Sequence, residues 1–406
     1  MTEMTHTHEF VIPLGFRFGA TKAGLKKSGK TDFALIVADA PASAAAVYTA
    51  NRVTAAPLII DKQHLRTTGG KLRAVAINAG NANCAAGQAG LDAANATCRA
   101  VAELVGCRPE EVFPSSTGVI GVPLPAEKIV AALPGMAASL GSDLDHFQQV
   151  AQAMMTTDTV EKTAFAQLEI DGSEIRIAAL CKGAGMIHPQ LMPHATMLVY
   201  ILTDADIEPA VLDSYLRDSI EVSFNRISVD GDTSTNDTVL LMASGGSGAV
   251  VGENHAAFGA ALTKVCTSLA RQIVADGEGV THVVELHIEG AATDADALKV
   301  AKAIAHSPLV KTAWSGGDPN WGRLAAAIGY SGAQIDPDRF DIRFGDLAIC
   351  LDGGRAPDFD EKAAHDYIAQ REFSVTIELH QGAGSCLFWT TDLTHEYVSI
   401  NADYST

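Results

Sequence analysis

Apolar and polar positions along this 406-residue chain switch between a period of two and a period of 3.6, and the switches outline a layered α/β protein. Short runs with hardly a polar residue read as buried strands: 33–38 (FALIVA), 74–78 (AVAIN) and the MLVYIL run that begins at Met197. Helical spacing is clearest over 91–105. It returns from near Ser142, where Leu144, Phe147, Val150 and Met154 share one face before the pattern stops at a TTDT sequence. That places Thr157 on a helix-exit loop. Residues 166–180 (AQLEIDGSEIRIAAL) read as a hairpin around Asp171–Gly172, a dipeptide suited to tight turns, whose second strand delivers Lys182. After MLVYIL come a helix over 209–222, a strand over 238–243, a long helix over 255–275 and a strand over 282–289. With no internal repeat or low-complexity linker, the expected architecture is α/β, with central sheets covered by helices.

Composition narrows the function classes. At 47% hydrophobic and 19% charged residues, the chain has ample material for a large core. A net charge of −19 repels phosphate backbones and anionic membrane surfaces, and no cluster of basic residues overrides it, so neither nucleic acid nor a membrane is expected as a partner. The seven cysteines (Cys84, Cys98, Cys107, Cys181, Cys266, Cys350, Cys386) are scattered, without a C-x-x-C pair, and read as reduced, mostly buried thiols. The opening MTEMTHTHEF lacks the basic-then-apolar build of an export signal, and no apolar run approaches ~18 residues, which points to the cytoplasm.

Two short motifs fail on context. Residues 24–31 (GLKKSGKT) satisfy the phosphate-loop pattern, but a phosphate loop must follow a strand and open a helix, whereas DFALIVADAP reads as a strand ending at proline. The run Asp230-Gly-Asp232-Thr-Ser234-Thr-Asn236-Asp237 looks like a calcium loop, but it has Thr235 where the sixth-position glycine belongs and Leu241 in place of the twelfth-position glutamate. No metal is expected.

The chemistry concentrates in residues 182–200 (KGAGMIHPQLMPHATMLVY), a Gly-, Pro- and His-rich loop that runs into Thr196 at the start of a strand. A threonine hydroxyl needs an adjacent base to act as a nucleophile. One solution is the residue's own α-amine, pKa ~7.7–8.0, once the preceding peptide bond is cut. The small Ala195 would let the hydroxyl reach its upstream carbonyl for an N-to-O acyl shift. The alternative is a plain strand threonine. His188 and His194 flank this loop and read as structural, because a freed amine leaves no need for an imidazole base.

Several segments then carry a resemblance along nearly the whole chain: the KGAGMIHP and ATML pieces of this loop, AVYTANRVTAAP (46–57), INAGNANCAAG (77–87), PSSTGVIG (114–121) and MTTDTVEK (155–162). Further along come SFNRISVDGDTSTNDT (223–238), DGEG (276–279), GGDPNWGRLAAAIGYSG (316–332) and YVSINADYST (397–406). Together they resemble the ornithine acetyltransferase family, the self-processing glutamate N-acetyltransferases of arginine biosynthesis. The resemblance implies a DmpA-like sandwich of sheets and cleavage before Thr196 into intertwined α (1–195) and β (196–406) chains, assembled as two of each. It implies that Thr117 and Gly118 form an oxyanion hole, where SSTGVIG alone would read as a turn. It makes Thr157, Lys182, Thr196, Glu278, Asn401 and Thr406 substrate contacts, where Glu278 alone could be a helix stop and Lys182 a solvated hairpin end. The implied reaction is ping-pong acetyl transfer from N2-acetylornithine to glutamate without a cofactor, acetyl-CoA being a co-substrate in some members. A self-processing amidase or aminopeptidase of similar fold is the alternative. The chain departs from the family pattern just before Thr196, where QLMPHAT is roughly three residues longer, Pro193 and His194 among them.

Overall fold

The computed structural model describes residues 10–189 and 197–403. Strands β1 (Phe16–Thr21), β2 (Phe33–Tyr48), β3 (Lys71–Asn81), β4 (Val112–Val119), β5 (Lys162–Ile170), β6 (Ser173–Lys182), β7 (Leu198–Thr203) and β8 (Thr238–Ala243) form an eight-stranded sheet. Its order is β4-β3-β2-β8-β7-β6-β5, with β1 beside β2. The β3–β4 and β7–β8 pairs run parallel; the other neighbours are antiparallel. Helices α1 (Ala56–Thr68), α2 (Gly87–Val105), α3 (Ala126–Met136), α4 (Leu144–Met154), α5 (Pro209–Glu221) and α6 (Ala256–Ala275) cover both faces.

This double covering explains the unbroken apolar run after Met197. Val199, Ile201, Val239 and Leu241 face Leu212 and Leu216 of α5 and Leu262 and Leu269 of α6. Their neighbours Leu198, Tyr200, Leu202, Leu240 and Met242 face the opposite way, into a core shared with Phe147 and Val150 of α4. A strand buried on both sides has no solvent face to alternate with. The expected hairpin is present, with Asp171 at φ 51° and Gly172 at φ 79°, the left-handed pair a two-residue turn requires. Helix α4 starts where Asp143 accepts the His146 N–H, directly before the first residue of its apolar stripe.

One expected boundary is corrected. β2 does not end at Pro41 but continues to Tyr48. Its pairing with β3 breaks between Val37 and Ala42, at an exposed bulge where the missing proline N–H costs no ladder bond, and from Ser43 onward it also pairs with β8.

The second sheet contains β9 (Val283–Ala291), β10 (Asp341–Phe344), β11 (Leu347–Leu351), β12 (Gly354–Arg355), β13 (Glu372–Glu378) and β14 (Gly384–Thr391), in the order β12-β11-β10-β13-β9-β14. Helices α7 (Asp294–Ala305), α8 (Pro308–Ser315), α9 (Trp321–Tyr330) and α10 (Glu361–Ile368) accompany it. Its core brings Leu286 and Ile288 against Val300 and Ile304 of α7. Trp389 of β14 belongs instead to the core under α6, which joins the two sheets. The chain's last described element is α11 (His395–Asp403), which buries none of its residues. All seven cysteines are free thiols, buried except for the half-buried Cys107. No described helix is long and apolar enough to cross a membrane.

Candidate active site

At the carboxyl ends of β3 and β4 the two strands come unusually close. Gly80 stands opposite Gly118, and the register shifts immediately afterwards. Gly118 has φ 130°, and a Cβ there would sit 2.4 Å from the Gly80 carbonyl carbon. Only glycine fits. The Asn236 carboxamide donates to Ser116 O (2.9 Å) and Ala82 O (2.6 Å), fastening this strand end to the loop before β8. Thr117 and Gly118 thus end a strand, rather than forming the turn the isolated sequence suggests, and they stand at the rim of a cavity of about 160 Å³.

Lys182, the last residue of β6, enters the same cavity. Its Nζ lies 3.4 Å from Thr117 Oγ1, to which it donates, and 4.0 Å from Asp158 Oδ2. Asp158 is the hub of a buried charge network. Its Oδ1 accepts from Lys162 Nζ (2.8 Å) and the Gly183 N–H (2.6 Å), and its Oδ2 from the Thr156 N–H (3.0 Å). Lys162 also donates to Asp276, which in turn accepts from the Thr159 backbone and hydroxyl. Burial pushes the Asp158 carboxyl up, but the Lys182 and Lys162 ammoniums and the bonds it accepts outweigh it and hold it at about 2. Burial likewise depresses Lys162, and the Asp158 charge together with the hydrogen bonds to Asp158 and Asp276 outweighs it, leaving the ammonium above its ordinary value. The network ties the Thr156–Thr159 loop, the end of β6 and the α6–β9 loop into one rigid support.

The α6–β9 loop carries Glu278 into the cavity. Its N–H donates to Ala184 O (3.0 Å), and its carboxylate passes so close to Gly185 that a Cβ there would meet it at 2.3 Å. Asn401 of α11 donates to Glu278 Oε2 at 2.8 Å. Asp230, Asp232 and Tyr397 complete this acidic wall. The cavity lining therefore combines an ammonium, that of Lys182, with carboxylates, those of Glu278, Asp230 and Asp232, and so complements a small molecule that carries both charges.

Six of the residues expected from sequence line this one cavity: Thr117, Gly118, Thr157, Lys182, Glu278 and Asn401. Ala195, Thr196 and Thr406, and with them Pro193 and His194, lie outside the described residues. Met197, next in the chain after Thr196, is on the cavity wall. His188 is not; it packs edge-on against His306, and burial with the nearby His306 and Lys302 pushes its imidazole down to about 3. Asp158, Lys162, Asp276, Asp230 and Tyr397 escaped the sequence reading, although Asp158 and Lys162 stand in the quoted MTTDTVEK segment and Asp230 opens the discounted calcium-like run.

The phosphate-loop look-alike has its own resolution. Backbone N–H groups of Ala23 (2.6 Å), Leu25 (2.5 Å) and Lys26 (2.8 Å) converge on the carboxylate of Asp32, and β2 rather than a helix follows. The amide cradle is already filled from within the chain.

Known proteins carry the same pattern. The ArgJ family model matches residues 17–406. The arginine biosynthesis bifunctional protein ArgJ of Geobacter sulfurreducens is 47% identical over 396 residues, spanning 97% of this chain and 99% of its own. Its counterpart from Symbiobacterium thermophilum is 45% identical over 400 residues, spanning 97% of this chain and 98% of its own. Among solved structures, the ArgJ of Bacillus halodurans superposes with a TM-score of 0.50 at 42% identity, covering 52% of this chain and 100% of that one. A match that runs from residue 17 to residue 406, at that identity and through the segments that build the cavity, means that the chain belongs to the ArgJ family.

Proposed function

We propose that this protein is an acyltransferase of arginine biosynthesis that moves an acetyl group from N2-acetyl-L-ornithine to L-glutamate through an acetyl-enzyme on Thr196. The observation that carries the reading is one small cavity in which a candidate oxyanion pair, Thr117 and Gly118, lies beside the Lys182 ammonium and shares the wall with the Glu278 carboxylate. Cleavage between Ala195 and Thr196 gives an α chain, 1–195, and a β chain, 196–406, that remain one folded unit. The central sheet supports this, because β6 before the cut and β7 after it are direct neighbours.

The freed α-amine of Thr196 takes the hydroxyl proton, and the oxygen attacks the acetyl carbonyl of the bound donor. Negative charge develops on the carbonyl oxygen, where the Thr117 hydroxyl and Gly118 N–H stabilise it; one such donor is typically worth ~3–4 kcal/mol of barrier. Collapse expels ornithine, whose amine regains the proton. Glutamate then binds in the same cavity, and its unprotonated α-amine attacks acetyl-Thr196, giving N-acetylglutamate and restoring the hydroxyl. Lys182 holds a substrate carboxylate as a point charge. Glu278, with Asn401, holds the ammonium tail of the donor, and Thr157 and Thr406 close the remaining contacts. Acetyl-CoA serves as a second acetyl donor to glutamate, consistent with the word bifunctional in the relatives' name. Two α and two β chains form the assembly.

Intact-mass analysis and N-terminal sequencing of the wild type beside Thr196→Ala test the reading. The expected wild type gives two fragments, the second beginning Thr-Met-Leu, while the variant stays whole and inactive. A single-chain wild type that still transfers acetyl groups would sink the amine-base mechanism. Release of acetate that does not depend on glutamate would point to a hydrolase instead.

A further inference from the structure

Glu278 has a counterpart at the seam between the loop that leads to Thr196 and the C-terminal helix. Asp230, mostly enclosed, spends its acceptor capacity on both. Its Oδ2 accepts the Met186 N–H at 2.6 Å and its Oδ1 the Ile187 N–H at 2.8 Å. Oδ1 also accepts the Asp232 N–H at 3.2 Å, and Oδ2 the Tyr397 hydroxyl at 3.2 Å.

The Met186 tie has a backbone reason. Met186 has φ 55°, a left-handed conformation that a long side chain takes up only when its surroundings enforce it. Two adjacent amides aimed at one carboxylate are such an enforcement, since bonds to a charged acceptor are about twice as strong as neutral ones. The far side of the turn is held as well. Ile187 O accepts from the Val229 N–H (2.7 Å) and Ser228 Oγ (3.1 Å), and His188 O from Thr233 Oγ1 (3.1 Å). The turn therefore fixes where the chain sets out toward Ala195 and Thr196.

The Tyr397 tie has a different reach. α11 buries no residue, so its place depends on polar fastenings: Tyr397 to Asp230, Asn401 to Glu278, and Thr394 Oγ1 to Gly279 O at 2.7 Å. Both Tyr397 and Asn401 line the cavity.

We propose that Asp230 is a positioning residue of the acyl-transfer site: it sets the Met186–Ile187 turn ahead of the nucleophile and, through the Tyr397 hydroxyl, seats α11 as the cavity's outer wall. Asp230 acts only as an acceptor and exchanges no proton with the substrate. The claim rests on the acetyl-transfer reading for its kinetic assay, and its two arms act on different constants.

The test compares Asp230→Asn and Tyr397→Phe with wild type in self-cleavage, steady-state acetyl transfer and amide hydrogen exchange. An asparagine can accept from one of the two loop amides but turns an NH2 toward the other. Asp230→Asn is expected to slow fragment appearance and to lower kcat, each by about 10-fold or more, since misplaced reacting groups can cost ~100-fold. Tyr397→Phe keeps the turn and loosens only the wall, so KM for N2-acetylornithine and glutamate rises several-fold, by more than kcat falls. Met186 and Ile187 amides exchange faster in the first variant, and α11 amides in the second. Wild-type cleavage, kcat and KM in Asp230→Asn would overturn the proposal. Should that variant not fold, an unchanged KM in Tyr397→Phe overturns it alone. A wild type that is neither cleaved nor active defeats the acetyl-transfer reading instead, and the exchange rates then still decide whether Asp230 holds the turn and helix.

Discussion

Two aspartates lie in the interior of the first domain-sized sheet and its helices, and their surroundings could hardly differ more. Asp158 has a fully buried side chain, two lysines and two backbone amides around it, and a carboxyl held at about 2. Asp61 of α1 is equally buried, yet neither of its oxygens has a hydrogen-bond partner among the described residues. Burial pushes its carboxyl well above the usual range, with only Lys62 pulling it back. The first solution keeps a charge inside by surrounding it; the second favours the neutral acid. The difference follows from position. Asp158 stands beside Lys182, which lines the cavity, while Asp61 lies away from the cavity beside the buried phenol of Tyr48.

Removing each group breaks the comparison most directly. Asp158→Ala leaves Lys162 with Asp276 as its one carboxylate partner among the described residues and is expected to cost about 3–5 kcal/mol in urea unfolding, with loss of acetyl transfer. Asp61→Asn is expected to cost nothing at pH 7 and to stabilise by about 1 kcal/mol; a destabilisation as large as that of Asp158→Ala would erase the contrast.

A pH scan gives the next largest effect, with opposite signs for the two residues. The Asp158 carboxyl is depressed, so its contribution of about 2 kcal/mol is present above pH ~4 and is lost as the pH falls toward about 2. Lys182→Met, which removes one of the charges holding it down, moves that loss to higher pH. The Asp61 carboxyl is raised, so whatever it contributes is present below pH ~4 and is lost as the pH rises through its folded value. The stability difference between wild type and Asp61→Asn should therefore shrink to nothing on acidification below pH ~4, as read by melting temperature. Smallest in stability but large in rate, Thr117→Ala should lower kcat by ~100- to 1,000-fold while leaving the melting curve almost unmoved.

Local features were legible in the sequence wherever one short segment decides the outcome. The Asp171–Gly172 turn, the α4 stripe and the doubly buried β7 all follow from neighbouring residues. What stayed hidden is whatever joins distant parts of the chain. Asp276 reaches Lys162, and through it Asp158, across 114 residues, and Asp230 reaches Tyr397 across 167. No periodicity announces such pairs, because each partner obeys only its own local pattern. The segment around Thr117 and Gly118 shows the limit most clearly. SSTGVIG has turn composition, and only the approach of Gly80, far upstream, explains why a strand ends there on a glycine. Only family resemblance drew attention to that segment, and the second sheet beyond β9 was reached by neither helical nor alternating patterns.

The Asp32 carboxylate in its amide cradle has a consequence for anyone looking for nucleotides by pattern. Asp32 is attached to the loop it occupies by a handful of residues, so it meets those amides at an effective concentration of at least millimolar order, and it never diffuses away. A free triphosphate would have to evict a resident that is always at hand, and it would then leave that resident's charge unpaired beside its own. The loop has the motif of a nucleotide site and the thermodynamics of a closed one.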